Sequence, residues 1–183
     1  MSERPTPSVR DIASQLADIV EGWEPAAWYP MAVYSQPGKA AGAFCREILE
    51  WNSDRSGIYF LRANSCDQFE ETTGLPLPQR LFYIGRAGQI ARRLNRHLQV
   101  ENHNSASLVY KITARSLDVT HIKRNENMCD MDRFLPAFRR IQEYLRNHCK
   151  MTYYLCDNNE RQALLEILFS LQYDTPYNEW QTH

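Results

Sequence analysis

The sequence predicts an α+β fold: a small antiparallel sheet of three strands flanked by helices, preceded by a helical extension. Three observations carry this. Short β-branched and aromatic runs stand at Ser56–Ala63, Arg80–Gly85 and Met151–Cys156, as half-buried strands require. Apolar residues recur at helical spacing elsewhere, most clearly over Asp132–Cys149. A chain of 183 residues that is 43% apolar and 11% aromatic is long enough to bury a core, which excludes a disordered or fibrous protein.

The elements follow in order. Val9, Ile12, Ala13, Leu16, Ile19 and Val20 predict a first amphipathic helix over 8–20. Residues 21–38 carry Trp23, Trp28, Tyr29 and Tyr34 among Pro25, Pro30 and Pro37, so they cannot continue it; their aromatics suit packing across a neighbouring surface. A second helix is expected over Ala40–Trp51, with Phe44, Ile48 and Trp51 inward. The first two strands are joined by a polar loop containing Gly74, Pro76 and Pro78. Gly88–Leu98 reads as a helix with Ile90, Leu94 and Leu98 on one side, and Ser107–Ala114 fits either strand or helix. Asp132–Cys149 bears the stripe Phe134, Phe138, Ile141, Leu145 and Cys149. After the third strand, Asn158–Tyr173 is a last helix, stopped before Pro176. The order α-α-β-β-α-α-β-α divides into an extension, 1–55, and a domain, 56–183.

The five cysteines are scattered without Cys-x-x-Cys spacing, and the five histidines form no His-x-His pair. A structural zinc site is therefore not expected, and reduced thiols are. The start of the chain is interrupted by Glu3, Arg4, Arg10 and Asp11, and no run approaches the ~20 apolar residues of a membrane span. The expectation is a cytoplasmic protein with no membrane partner. The net charge of −1 conceals an uneven distribution: residues 1–79 carry −5, 80–150 carry +8 and 151–183 carry −4. The positive block is where a polyanion would bind.

Within that block, Gln79–Gln99 holds Arg80, Arg86, Arg92, Arg93 and Arg96 and no acidic residue. Gln89, Arg93 and His97 share one helical face at i, i+4 and i+8. Gly85 and Gly88 are expected to let the backbone approach a ligand where this helix begins, at a terminus that favours an anion. An arginine fork with an imidazole one turn on suits the holding and protonation of a phosphate; a solvated cationic face is the bland alternative. Tyr59 and Tyr83 lie in paired strands and can share a face. A phenol ionises near pH 10, so either needs adjacent positive charge to act as a base. Glu166 is the only charge in Ala163–Phe169. It is either a salt-bridge partner of one of these arginines or a hard oxygen ligand for Mg²⁺. Asn178 follows in a Pro turn.

Gly57-Ile58-Tyr59, Tyr83-Ile84-Gly85, Arg93 with His97, and Glu166 with Asn178 together resemble the GIY-YIG nuclease superfamily over roughly residues 56–183. The resemblance implies a β-β-α-α-β-α module that hydrolyses phosphodiesters. It implies that Tyr59 activates water with Tyr83 assisting, Arg93 braces the scissile phosphate, His97 helps proton transfer and Glu166 holds one Mg²⁺ or Mn²⁺. Gly85 and Asn178 would stabilise the site, and Arg86, Arg92 and Arg96 would contact nucleic acid. The sequence departs from the family in the 23 residues between Tyr59 and Tyr83 and in Arg86, which stands where Lys or Ser is frequent. The expected function is a DNA endonuclease; an RNA-cleaving enzyme and a non-catalytic nucleic-acid-binding module of the same fold are the alternatives.

Overall fold

Two helical layers enclose one sheet, and the sheet's alternation explains both. The computed structural model describes residues 8–31, 46–47, 49–101, 105–119 and 133–178. In chain order these form α1 (Val9–Gly22), β1 (Tyr29–Pro30), β2 (Gly57–Ala63), α2 (Cys66–Thr73), β3 (Leu81–Ala87), α3 (Ile90–Gln99), α4 (Ser107–Ser116), α5 (Phe134–His148), β4 (Cys149–Leu155) and α6 (Asn159–Gln172).

All strands pair antiparallel in the order β1-β4-β2-β3. Among the described residues the sheet therefore has four strands and not the expected three. The extra strand is two residues of the extension, Tyr29 and Pro30, paired with Met151 and Lys150. Pro30 lacks an N–H, which is tolerated because β1 is an edge.

Along β2 the side chains divide by period 2. Tyr59, Leu61 and Ala63 enter a core with Phe69, Ile90, Leu94, Val109, Phe138 and Met151. Ile58 and Phe60 enter a second core with Leu16, Val20, Ile84, Leu165 and Phe169. Helices α2–α5 thus cover one face, and α1 with α6 covers the other. Trp23 stacks on Phe60 with ring centroids 4.0 Å apart, so the region after α1 packs across the sheet. Gly57 faces β4 so closely that a Cβ would lie 2.2 Å from the Tyr154 carbonyl oxygen. No side chain fits there.

The stretch expected to be a loop between the first two long strands contains α2. Ser65 caps it by accepting from Gln68 N at 3.3 Å, and Gly74 ends it in the left-handed region with its N–H on Glu70 O at 2.7 Å. Phe69 anchors the helix in the core. Ser107–Ala114 resolves as helix, within α4. Of the expected Ala40–Trp51 helix, Arg46 and Glu47 are helical, whereas 40–45 and Ile48 lie outside the described residues. Trp51 is buried as expected and meets Tyr153 edge-on at 4.7 Å. No helix among the described residues is long and apolar enough to cross a membrane.

Candidate active site

The β2–β3 register sets Tyr59 opposite Gly85 and Tyr83 opposite Leu61, so both tyrosines rise diagonally from one face. α3 lies over that face and brings His97 to them. The three rings form a triangle with centroids 6.0 Å (Tyr59–Tyr83), 6.1 Å (Tyr59–His97) and 6.3 Å (Tyr83–His97) apart. Tyr59 Oη and His97 Nε2 are hydrogen bonded at 3.0 Å. Tyr59 and His97 are fully buried, while Tyr83 is half-buried.

Gly85 has a role other than the expected one. A Cβ on it would lie 2.5 Å from both Cζ and Oη of Tyr59. The group that approaches this glycine is the Tyr59 ring and not a ligand. The absence of a side chain at 85 is what allows the phenol to lie across β3.

The α3 N-terminus also differs from expectation. Its cap residue, Gln89, makes no side-chain cap bond. Instead Asp54, in the segment before β2, accepts from Ala91 N at 2.9 Å on Oδ1 and from Arg92 N at 3.0 Å on Oδ2. Arg55 O takes the Ile90 N–H at 2.9 Å. The leading amides are therefore satisfied within the protein, and the terminus is not open to a substrate anion.

The cationic character instead comes from side chains. Arg86, Arg92, Arg93 and Arg96, with Ala87, Gly88 and Gln89, line an open pocket of about 470 Å³ that contains no acidic residue. Arg93 is fixed at its rim by Nη1 on Ser105 O at 3.1 Å and Nη2 on Ser107 Oγ at 2.8 Å. Two anchored donors leave the remaining N–H groups of a planar guanidinium oriented.

Glu166 projects from α6 beside this pocket. Its Oε2 lies 3.2 Å from Arg86 Nε, and Arg86 Nη1 also donates to Asn159 Oδ1 at 2.9 Å. The ion-pair reading of Glu166 is thus observed directly. Asn178 closes the β3 edge: Oδ1 accepts from Ile84 N at 2.8 Å and from Thr175 Oγ1 at 2.9 Å, and Nδ2 donates to Ile84 O. It braces the backbone between Tyr83 and Gly85.

Compared with models of protein families, with curated proteins and with solved structures, the chain matches none.

Burial dominates the electrostatics. It raises the Tyr59 phenol above its ordinary value, with Arg93 opposing and Glu166 adding to the rise. Burial also raises Tyr83 well above the usual phenol, and the Tyr59 and Glu166 charges add to this. Burial, then Arg93, holds His97 well below the ordinary imidazole, so the ring is neutral at physiological pH. Among the described residues its buried Nδ1 has no partner. Burial raises the Glu166 carboxyl, with Arg86 opposing.

The folded state resists protonating His97, whereas the unfolded chain takes the proton near 6.5. Stability should hold steady above that pH and fall as the pH drops below it. Melting curves from about pH 8 to about pH 5 should show this decline, and His97→Gln should flatten it. An equally steep decline in the variant would assign the acid sensitivity elsewhere.

Lys111, which no sequence motif marks, also stands within electrostatic reach of Glu166. On α4 it lies one turn beyond Ser107. Burial, followed by Arg115, lowers its ammonium value, and Glu166 is near enough to oppose the shift. It is a lone charge in Leu108-Val109-Tyr110-Lys111-Ile112, the same signal that singled out Glu166.

Among the described residues no group of three or more His, Cys, Asp or Glu converges, so a caged ion has no support. Glu166, with Oε2 paired to Arg86, is one hard carboxylate beside the cationic pocket, and Mg²⁺ or Mn²⁺, which take one or two carboxylates and complete their shell with water and substrate phosphate, are the ions such a donor suits.

Proposed function

We propose that the protein is a metal-dependent endonuclease of the GIY-YIG type that hydrolyses phosphodiester bonds in DNA. The observation that carries this reading is the Tyr59 Oη–His97 Nε2 bond of 3.0 Å, set beside a pocket lined by four arginines. A buried phenol joined to a neutral imidazole is poised for proton movement, and the arginines select an anionic substrate.

In this reading Arg93, clamped by Ser105 and Ser107, donates to the scissile phosphate and meets the charge that grows on it in the transition state. Arg86, Arg92 and Arg96 hold the neighbouring anionic groups. With Nε2 protonated, His97 donates to Tyr59 Oη and stabilises its phenolate form, leaving Nδ1 as a lone pair and not as an unpaired buried N–H. The phenolate takes a proton from the attacking water. Tyr83, half-buried beside it, orients that water. A divalent ion held by Glu166 would supply Lewis-acid stabilisation of phosphate charge. Gly85 and Asn178 keep β3 in the position on which this geometry depends.

The test is cleavage of supercoiled plasmid DNA with Mg²⁺, with and without chelator, beside a sequence-matched RNA. DNA products that vanish on chelation are the expected result. Cleavage of the RNA alone would transfer the activity to RNA. Binding of both without any product would leave a non-catalytic module.

A further inference from the structure

We propose that the arginine pocket continues as a track for the backbone of duplex DNA, running along α3 onto α5. The proposal rests on the phosphodiesterase reading for its direction, away from the scissile phosphate, and on separate contacts for its existence.

Arg92 and Arg96 stand one turn apart on α3 and both line the pocket. α5 docks across the far end of that helix. Gln142 Nε2 donates to the carbonyls of His97 and Val100, each at 3.1 Å. Arg146 Nη2 donates to Leu98 O at 2.8 Å. Arg139 makes a two-pronged contact with Glu101, Nε–Oε1 at 2.7 Å and Nη2–Oε2 at 3.1 Å. Arg139 and Arg146 are seven residues apart on α5 and so share a face. Two guanidinium groups from a different helix are therefore fixed at the end of α3 opposite the pocket.

A clasp between the helices accounts for one such contact but not for the composition around it. Gln142 already occupies two of the terminal carbonyls. From Arg133 to His148 the chain has four arginines and one acidic residue, Glu143; Arg133, Arg139 and Arg140 are exposed, and among the described residues the Glu101 carboxylate pairs with Arg139 alone. A guanidinium has five N–H donors, so the single bond of Arg146 leaves donors for a ligand. Holding each group in place before binding reduces the ordering entropy that a phosphate contact would otherwise cost.

The dimensions suit a strand. From Arg92 to Leu98 is six residues, or roughly 9 Å along the axis at ~1.5 Å per residue. One strand of a duplex places a charge every ~3.4 Å along its axis. Because the backbone path between phosphates is longer than this axial rise, the row reaches about two consecutive phosphates on one side of the cut. A mononucleotide or a lone phosphodiester would leave the α5 end unused.

The experiment measures binding of a fluorescently labelled DNA duplex to the full chain in chelator, as a function of salt. The Arg139→Gln/Arg146→Gln double variant should bind more weakly and flatten the log–log salt slope by about 1.8, at roughly 0.9 per lost phosphate contact. The double Lys variant should keep the slope, because charge and not the helix clasp is what counts. If the double Gln variant does not fold, Arg146→Gln alone should flatten the slope by about 0.9.

An unchanged slope in a folded Gln variant overturns the track. So does competition by polyglutamate as effective as that by DNA, or tighter binding of duplex RNA with the same slope. A wild type that binds DNA with the expected variant response yet cuts nothing in Mg²⁺ ends the phosphodiesterase reading and retains the track.

Discussion

Replacing Glu166 with Gln is expected to abolish Mg²⁺-dependent cleavage, by about a thousandfold or more, while the protein melts at the same temperature or higher. The two halves of this result come from one physical fact. The Glu166 carboxyl is largely shielded, its side chain 17% exposed, and burial raises its proton affinity. A carboxyl raised above its unfolded value gives stability only at low pH and loses it as pH rises. At neutral pH the ionised group is therefore a burden on the fold, and a neutral amide of the same shape relieves it. Arg86 offsets part of this, but its side chain is 41% exposed, so solvent screens its half of the pair.

If Glu166 were retained only to anchor Arg86, the Gln variant would lose stability and keep its activity. Cleavage and calorimetry on the same preparation separate the cases. Undiminished cleavage by the Gln variant ends the ligand role. A destabilising carboxylate held beside a cationic pocket is the pattern expected of a functional group, in which stability is traded for chemistry.

Several elements were legible because local pattern and tertiary outcome agree. β2 and β3 are short apolar and aromatic runs whose side chains alternate between the two cores, and α5 carries its apolar stripe for its whole length. What was not legible depended on distant partners. β1 is two residues, Tyr29 and Pro30, with no periodicity to read, and only the β4 edge makes them a strand. The α2 helix did announce itself: Ser65 three residues before Gln68, and Gly74 at the end, are a helix start and stop. Pro76 and Pro78 just beyond it favour a loop, and the burial of Phe69 in the core decides for helix.

The candidate site divides in the same way. Tyr59, Tyr83, Arg93 and His97 were marked by spacing along one strand pair and one helix face, and the structure brings them together. Asp54 was not marked, because it caps a helix whose first turn lies 37 residues further on, and no local pattern encodes such a bond. The same contact is why the expectation of an anion at the α3 terminus failed: the protein supplies its own carboxylate there. Lys111 was legible by the rule applied to Glu166 and was masked by the strand-or-helix ambiguity of its segment.

Replacing Tyr59 with Phe is expected to reduce cleavage by about 10²–10⁴-fold, the range set by the loss of a positioned general base. The ring can stay where it is, because Phe preserves the face that lies over Gly85. What changes is Oη, and with it the partner of His97 Nε2. His97 would then have both nitrogens buried without a partner, a cost of about 1–3 kcal/mol that should appear as a lower melting temperature.

The pH profile separates chemistry from this structural cost. Burial holds the Tyr59 phenol above its ordinary value of 10.0, so in the free protein the base form is scarce at neutral pH and grows with each unit of alkali. The wild-type rate should therefore rise through the neutral and mildly alkaline range, about tenfold per unit until bound positive charge brings the phenol to its titration point. The residual activity of the Phe variant should not rise in this way. Tyr83→Phe should keep the slope and lose less activity if, as proposed, its phenol assists and does not accept the first proton. A wild-type profile that is flat from about pH 7 to about pH 9 would remove the tyrosine as base. His97 would not replace it easily, because burial and Arg93 lower its basicity well below that of an ordinary imidazole.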